Sequence, residues 1–550
     1  MWSPSDWLYH AEGGKHAIFR HRPSAAEQFN GLVEGRVAGH VLRISKHDLA
    51  LAYAELCDAS TDDNSAVARD LIPHSSEQET NSFLFQKGVV QPLLGECYLD
   101  LPRSVLLPTV FCAQLYQQAV ASGNIPPSRL QSWRIKTSDQ ENSTTVNEGV
   151  KVTLLRDHTT LIKHPCMPDQ PKAKRHVISV EIKPKAGYIT SSPLVSPKNR
   201  CKYNRTRYSL QQQLMQQGHV QKGWRRKENQ HDSEIQNSKP FTPSNYSPLD
   251  LFSGNASQIQ TALNDLSYNM QNNFRVFHNG AQIFGEDISP TEEERKDIWN
   301  ALVRQWRHSA CNNDDDDNVD ASSKLLDFIT SEVSKILYRE KLLLRNLLSM
   351  QLLDVIDGEG AIRVYNRLVQ LYDGSNSKAE DILDKAMLQI TEQPKNALLC
   401  GNNLAKSPYE LPNCSILHKL INEIDSFTSK SEKDMAYSSS HEMCVQLVDQ
   451  LSREGCIYLL QNWLLSLAMC DVSFFVTFQC LADDQCTKEE SQSVVNGGIL
   501  HCDERKGEQK LFGTNTMIHY QVKVVDCDAK PAKKLRSRSQ VEDKFQFITS

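Results

Sequence analysis

The nine residues VEIKPKAGY, Val180 to Tyr188, end an apolar, alternating run by presenting two lysines with a proline between them. Alternate side chains of a strand share a face, which sets Ile178, Val180 and Ile182 on one side and Ser179, Glu181, Lys183 and Lys185 on the other. Two ammonium groups about 7 Å apart can grip one phosphate or two neighbouring ones. The plainer reading is a sheet edge blunted by Lys and Pro. Downstream, Gln271 to Gly285 reads QNNFRVFHNGAQIFG. Asn279-Gly280 between two alternating apolar runs predicts a hairpin. Asn273 and Arg275 share a strand face, and amide donors beside a guanidinium suit phosphate and hydroxyl oxygens. Acidic residues stand at strand ends: Asp471, and the pair Asp526 and Asp528 around Cys527. Such a carboxylate can act as a general base, hold Mg²⁺ or simply cap a turn. In an extended chain Asp526 and Asp528 would point to one face. Near the N-terminus, the turn AEGGKH (11–16) could lay backbone N–H groups over a nucleotide phosphate, or be a plain hairpin turn.

Other chemistries lack their residues. The His-Arg-Asp and Asp-Phe-Gly signatures of protein kinases are missing. Asp357-Gly-Glu-Gly360 follows a helical pattern rather than a strand and is read as a helix-ending turn. His164-Pro-Cys166, Cys480-x5-Cys486 and His501-Cys502 do not have zinc-pair spacing. The acidic run CNNDDDDN (311–318) reads as a solvated loop, since carboxylates in a flexible run are not held in a cage.

The elements that must position these residues mix helices and strands without regular βαβ alternation, which predicts an α+β fold. HVLRIS (40–45) reads as a strand and the following DLALAYAELCD as a helix capped by Asp48. KVTLLRDH (151–158), VSFFVTFQC (472–480) and MIHYQVKVVD (517–526) read as strands, and 324–352 as one amphipathic helix. Composition marks a mobile, basic insert at about 190–245 and an acidic loop at about 308–323. The expected division is an N-terminal lobe, 1–150, and a C-terminal lobe, 151–550. The net charge of −6 leaves no global field to recruit an anion, so an anionic ligand needs a local basic patch. Fifteen cysteines without a repeating frame suit a reducing compartment. The N-terminus has no secretory h-region, and the apolar run 457–480 contains Gln461, Asn462 and Asp471, against a membrane span.

Taken in order, SDWLYHAEGG (5–14), VLRISK (41–46), VEIKPKAGY (180–188), YSPLDLFSGN (246–255), QNNFRVFHNG (271–280), LLDVIDGEG with VYNRL (352–368), the segment at Asp471 and VVDCDAKP (524–531) resemble the inositol-pentakisphosphate 2-kinases across nearly the whole length. The EIKPK and QNNFRVF-x-NG blocks are the most specific. The resemblance implies a two-lobed kinase-like fold, with a small N-terminal lobe and a larger C-terminal inositol-binding lobe. It implies ATP-dependent phosphorylation of the 2-hydroxyl of inositol 1,3,4,5,6-pentakisphosphate to the hexakisphosphate, phytate. ATP and Mg²⁺ are the implied cofactors.

By the same resemblance, Glu12, Gly13, Gly14, Lys15 and Arg43 serve ATP. Lys183, Lys185, Asn272, Asn273, Arg275, Lys530 and Arg134 serve substrate phosphates. Asp471 is the catalytic acceptor of the hydroxyl proton, and Asp526 the Mg²⁺ ligand. Five phosphomonoesters bring roughly −8 to −10 at neutral pH, so clustered donors are needed. The basic run Lys202, Arg205 and Arg207 would add to them. The chain departs from the family pattern at Ala11, at Thr206 in CKYNRT where a His is usual, and at Cys470 where a lysine usually precedes the catalytic Asp. No tyrosine follows Lys530 in KKLRSRSQ, and the zinc ligands of plant members have no clear match. The implied protein is a soluble monomer of cytoplasm or nucleus, needing neither membrane nor nucleic acid. Its rivals are an inactive inositol-phosphate-binding scaffold and, through 198–226 and 533–538, a nucleic-acid binder lacking a recognised module.

Overall fold

Short runs of alternating apolar residues close into two antiparallel sheets, seen in a computed structural model of the chain. The structure describes residues 3–12, 16–21, 40–59, 81–122, 125, 149–160, 176–219, 241–286, 291–307, 321–388, 441–481, 498–501 and 517–548. The fold is α+β. Contacts divide it into two compact units, 1–84 with 100–164, and 85–99 with 165–550. The expected boundary at 150 therefore falls on the first residue of a strand of the first unit, and 85–99 joins the second.

In the first unit, β1 (Trp7–Glu12), β2 (His16–His21), β3 (His40–Ser45), β4 (Arg103–Leu107) and β5 (Val150–Arg156) lie in the order β1-β2-β3-β5-β4. Trp7, Phe19, Leu42, Ile44 and Val152 of the sheet share a core with Leu49 and Ala52 of α1 (Lys46–Ala59) and Phe111 and Leu115 of α2 (Thr109–Ala121). Helix α1 starts two residues before Asp48, the expected cap; Ser45 Oγ accepts the Asp48 N–H at 3.4 Å instead.

The second unit is built on β6 (Val177–Ile182), β7 (Phe274–His278), β8 (Ala281–Phe284), β9 (Ser473–Leu481), β10 (Gly498–His501) and β11 (Met517–Val525), in the order β10-β11-β9-β6-β7-β8. Asn279 and Gly280 turn β7 into β8 with φ of 48° and 82°, the positive-φ pair that Asn-Gly predicts. Strand β6 lies between β9 and β7, so it is an inner strand and not the blunted edge its Lys-Pro-Lys ending allowed. Both its faces are buried; Ser179 Oγ meets Thr477 Oγ1 at 2.7 Å.

Around this sheet lie α3 (Arg207–Gln216), α4 (Ala256–Tyr268), α5 (Ala321–Arg339), α6 (Lys341–Gln351), α7 (Asp357–Gln370), α8 (Arg453–Met469) and α9 (Lys534–Glu542). The single helix expected over 324–352 is two, broken at Glu340, whose carboxylate accepts the Tyr98 and Tyr520 hydroxyls at 2.6 and 2.8 Å. Asp357-Gly-Glu-Gly360 opens α7 rather than closing a helix: Asp354 Oδ1 accepts the Asp357 N–H at 2.7 Å, an anchor that composition does not show. Residues 190–219, read as part of a mobile insert, carry a 3-10 helix at Pro197–Tyr203 and α3. Thr206 caps α3 by accepting the Ser209 N–H, and Cys201, Leu210 and Leu214 pack on Phe545 and Ile548. Residues 220–240 and the acidic run at 308–320 lie outside the described residues. Among the described residues no helix is long and apolar enough to cross a membrane; 457–480 is the end of α8 followed by β9.

Candidate active site

Strand register brings the chemistry-bearing segments to one end of the second sheet. Ile182 of β6 pairs with Phe274 of β7 and with Phe474 of β9, and Ser473 of β9 pairs with Val525 of β11. Because neighbours run antiparallel, β6 and β11 finish where β7 and β9 begin. The chain just beyond that end holds Lys183 and Lys185, Asn272 and Asn273, Asp471, and Asp526 with Lys530.

The lysine segment is fixed through its backbone. The Lys183 N–H donates to Asn273 O at 2.9 Å, and the Tyr246 hydroxyl donates to Pro184 O at 2.8 Å. Gln351 clamps the next turn, its Nε2 donating to Lys185 O at 3.0 Å and its Oε1 accepting the Gly187 N–H at 2.8 Å. Lys185 itself takes the left-handed conformation, φ 61°, so the chain turns there and not at Gly187. Gly187 is required for a different reason: a Cβ would stand 2.1 Å from Phe252 Cδ2. Burial, and then the Lys183 charge, bring the Lys185 ammonium down to about 8, against the opposing pull of Asp471 and Glu181.

The amide–guanidinium block is largely engaged with its own neighbours. Arg275 Nη1 pairs with Glu181 Oε2 at 3.0 Å and its Nη2 donates to Asn272 Oδ1 at 2.6 Å. Glu181 Oε1 accepts the Ser473 hydroxyl at 3.0 Å, so the network crosses β7, β6 and β9. Asn273 is buried and donates to the Tyr208 hydroxyl at 3.2 Å, whereas Asn272 is exposed.

Asp471 follows the C-cap Cys470 of α8 and is anchored by its own N–H to Ala468 O at 3.1 Å. Lys530 Nζ lies 2.7 Å from Asp471 Oδ2. Burial pushes the Asp471 carboxyl up, but the Lys530 charge and hydrogen bond, with Lys185 and Lys534 behind them, win and hold it at about 2. That pairing links residues 59 apart and had no signal in the sequence. Asp526 is exposed, and its φ of 62° breaks the extended run that would have aligned it with Asp528. Asp528 Oδ1 instead accepts Gln86 Nε2 at 3.1 Å. Oxygen donors of this kind fit a hard cation such as Mg²⁺. Among the described residues, one acidic group gathers three possible metal ligands, Asp357, Glu359 and Glu542, and it is filled by an ammonium: Lys202 Nζ lies 2.6 Å from Asp357, 2.9 Å from Glu359 and in contact with Glu542. Lys202, buried and so paired, and Arg207, paired to Glu542 at 2.6 Å, are thus not the ready phosphate donors the basic run promised. Arg205 remains exposed, bonded to Gln213.

In the first unit, Glu12 ends β1 opposite Ala17. Arg43, in β3, pairs through its backbone with Ile18 and Thr153, and its Nη2 is 3.4 Å from His16 Nδ1. Gly13, Gly14, Lys15 and Arg134 lie outside the described residues.

A sequence model described as inositol-pentakisphosphate 2-kinase matches residues 9–544. The chain belongs to the inositol-pentakisphosphate 2-kinase family. It is therefore a member of a family of kinases, as its motif order indicated. Among curated relatives, the inositol-pentakisphosphate 2-kinase of Arabidopsis thaliana is 26% identical over 371 residues, 66% of this chain and 70% of that protein. The rice enzyme (Oryza sativa subsp. indica) is 26% identical over 386 residues, 66% and 69%. The zebrafish one (Danio rerio) is 26% identical over 280 residues, 51% and 44%.

Proposed function

We propose that this protein transfers the γ-phosphoryl group of ATP to the 2-hydroxyl of inositol 1,3,4,5,6-pentakisphosphate, giving the hexakisphosphate. The observation that carries the reading is the convergence of the Asp471–Lys530 pair with Lys183 and Lys185 at one sheet end, in a chain matched by the family over 9–544. Phosphoryl transfer is mostly positioning and charge stabilisation, and this end supplies cations beside an ionised carboxylate. Lys183, Lys185 and Lys530 take substrate phosphates, with Asn272 and, through their network, Asn273 and Arg275 shaping the floor. Asp471, ionised at neutral pH, accepts the hydrogen bond of the attacking hydroxyl and its proton as the new P–O bond forms. Lys530 holds Oδ2, and a substrate phosphate competing for that ammonium would raise the basicity of the carboxylate. Mg²⁺, when bound, would neutralise phosphate charge, with Asp526 as its ligand.

On the same reading the two units supply the lobes of a two-lobed kinase. Glu12, Gly13, Gly14, Lys15 and Arg43 serve ATP, and Arg134 meets substrate. The protein works as a soluble monomer of cytoplasm or nucleus, without membrane or nucleic acid. The decisive assay is conversion of inositol pentakisphosphate to hexakisphosphate by purified protein with ATP and Mg²⁺. Well-folded protein that binds the substrate and never turns it over would instead establish the scaffold, a reading favoured by one observation, the strong grip of Lys530 on Asp471.

A further inference from the structure

Lys185 and Asp471 stand on two chain segments that are tied to one buried amide. Gln351, the last residue of α6, is fully buried. Its Nε2 donates to Lys185 O at 3.0 Å and to Met469 O at 3.1 Å, and its Oε1 accepts the Gly187 N–H at 2.8 Å. A carboxamide offers two donors and an acceptor in one planar group, and all three partners here are met. The two carbonyls can only accept and the N–H can only donate, so the amide has a single orientation in this place.

Met469 is the last residue of α8, and the final carbonyls of a helix have no partner inside it. Gln351 supplies the missing donor. Its own carbonyl, at the end of α6, has the same need and accepts Ser466 Oγ of α8 at 2.5 Å. The two helix ends therefore cap each other, and the same amide reaches on into the lysine turn, where Lys185 holds its φ of 61°. Asp471 follows Met469 by two residues, and its N–H returns to Ala468 O in the same helix end. The two charged groups feel each other. Asp471 is among the charges that favour the Lys185 ammonium, and Lys185 is among those that hold the Asp471 carboxyl down. That mutual pull depends on their separation, which a single side chain bridges from below.

We propose that Gln351 is a positioning residue of the phosphoryl transfer: its carboxamide sets the spacing of Lys185 and Asp471, so that a phosphate gripped by the ammonium presents a hydroxyl of the same ring to the carboxylate. Gln351 acts only through the two backbone segments it holds, and this role rests on the kinase reading above. Its worth is kinetic, because a misplacement of about 1 Å at a reacting centre can lower a rate about 10²-fold.

The test is steady-state kinetics of full-length protein with inositol pentakisphosphate and ATP, with melting followed in parallel. Gln351→Met keeps the length of the side chain and removes its three hydrogen bonds. It is expected to lower kcat/KM for inositol pentakisphosphate about 10- to 100-fold and to leave KM for ATP unchanged. Two further readouts separate positioning from mere loss of stability. In a Lys185→Met background the same change should cost much less, because the ammonium it places is already gone. The rise of KM above pH 8 should also move to higher pH in Gln351→Met, as a loosened turn lets the Lys185 ammonium reach water. If Gln351→Met does not fold, Gln351→Glu carries the test. Its protonated acid keeps the acceptor and one donor, whereas its carboxylate turns an oxygen on the Lys185 and Met469 carbonyls. Activity relative to wild type should then climb reversibly as pH is lowered. Wild-type kinetics in Gln351→Met, an equal penalty with and without Lys185, or a ratio flat with pH in a folded Gln351→Glu overturns the positioning role alone. Wild-type protein that does not phosphorylate inositol pentakisphosphate overturns the kinase reading, and this role of Gln351 with it.

Discussion

At the scale of single residues, the site is governed by how two lysines are held. Lys530 sits 2.7 Å from a carboxylate that is 57 % exposed, an arrangement that stores the acceptor in an ionised state. Asp471→Asn removes the acceptor but keeps its size, so kcat should fall about 10²- to 10⁴-fold while substrate affinity stays within a small factor. Comparing single-turnover rates with direct binding separates the two, and an unimpaired kcat would remove Asp471 from the chemistry. Lys185 carries a pH prediction. Its folded value, about 8, lies below its ordinary 10.5. The folded protein therefore pays a penalty for holding the charge below pH 8, and stability contributed by this group rises as pH climbs from 8 towards 10.5. Affinity has the opposite trend, since the free enzyme loses a phosphate-binding charge above pH 8. KM for inositol pentakisphosphate should therefore rise above that pH in wild type, and Lys185→Arg, which stays protonated, should flatten the alkaline limb.

At the scale of elements, what was legible in the sequence was whatever local pattern controls. The β7–β8 hairpin follows from Asn-Gly, and the strands β3, β5, β9 and β11 from alternation; all stand within a residue or two of their expected bounds. The ordering of Lys183, Asn272, Asp471 and Asp526 was legible too, but only their register explains why they meet. What local pattern does not control went unread. The break at Glu340 depends on two tyrosines 242 and 180 residues away. The ordered 190–219 segment depends on ion pairs with α7 and α9, which its polar composition disguises. Gly187 shows the same limit, because its need for space beside Phe252 is a long-range contact that no local pattern carries. Adding one methyl there forces Phe252 or the lysine turn to move, so Gly187→Ala should cost about 1–3 kcal/mol by overpacking. A lowered melting temperature together with weaker substrate binding would show that the strain reaches the Lys183–Lys185 loop. A variant of wild-type stability would mean that Phe252 yields freely.

At the scale of the whole second unit, one buried ammonium joins three distant parts of the chain. Lys202 comes from the 197–203 turn, Asp357 and Glu359 from the start of α7, and Glu542 from the end of α9. Lys202 is raised above its ordinary value because these three carboxylates outweigh the burial that opposes its charge, and Glu542 is held well below its own against the same burial. The sign is that of mutual stabilisation: the Glu542 contribution is fully present above the ordinary carboxylate range and is lost only in strong acid. A buried ion pair of this kind adds little over an apolar substitute, but breaking it is costly, since the unpaired charges stay buried. Lys202→Met leaves Asp357, Glu359 and Glu542 facing one another, and a loss of about 3–5 kcal/mol follows. Part of that loss should be relieved by neutralising a carboxylate, so the double variant Lys202→Met with Glu542→Gln should melt above the single one. Chemical denaturation of the two variants and of wild type measures the coupling directly. Because α9 carries Glu542, limited proteolysis at 534–548 should quicken in the single variant. If Lys202→Met melts like wild type and keeps its C-terminal helix protected, the ammonium is not what ties that helix to α7.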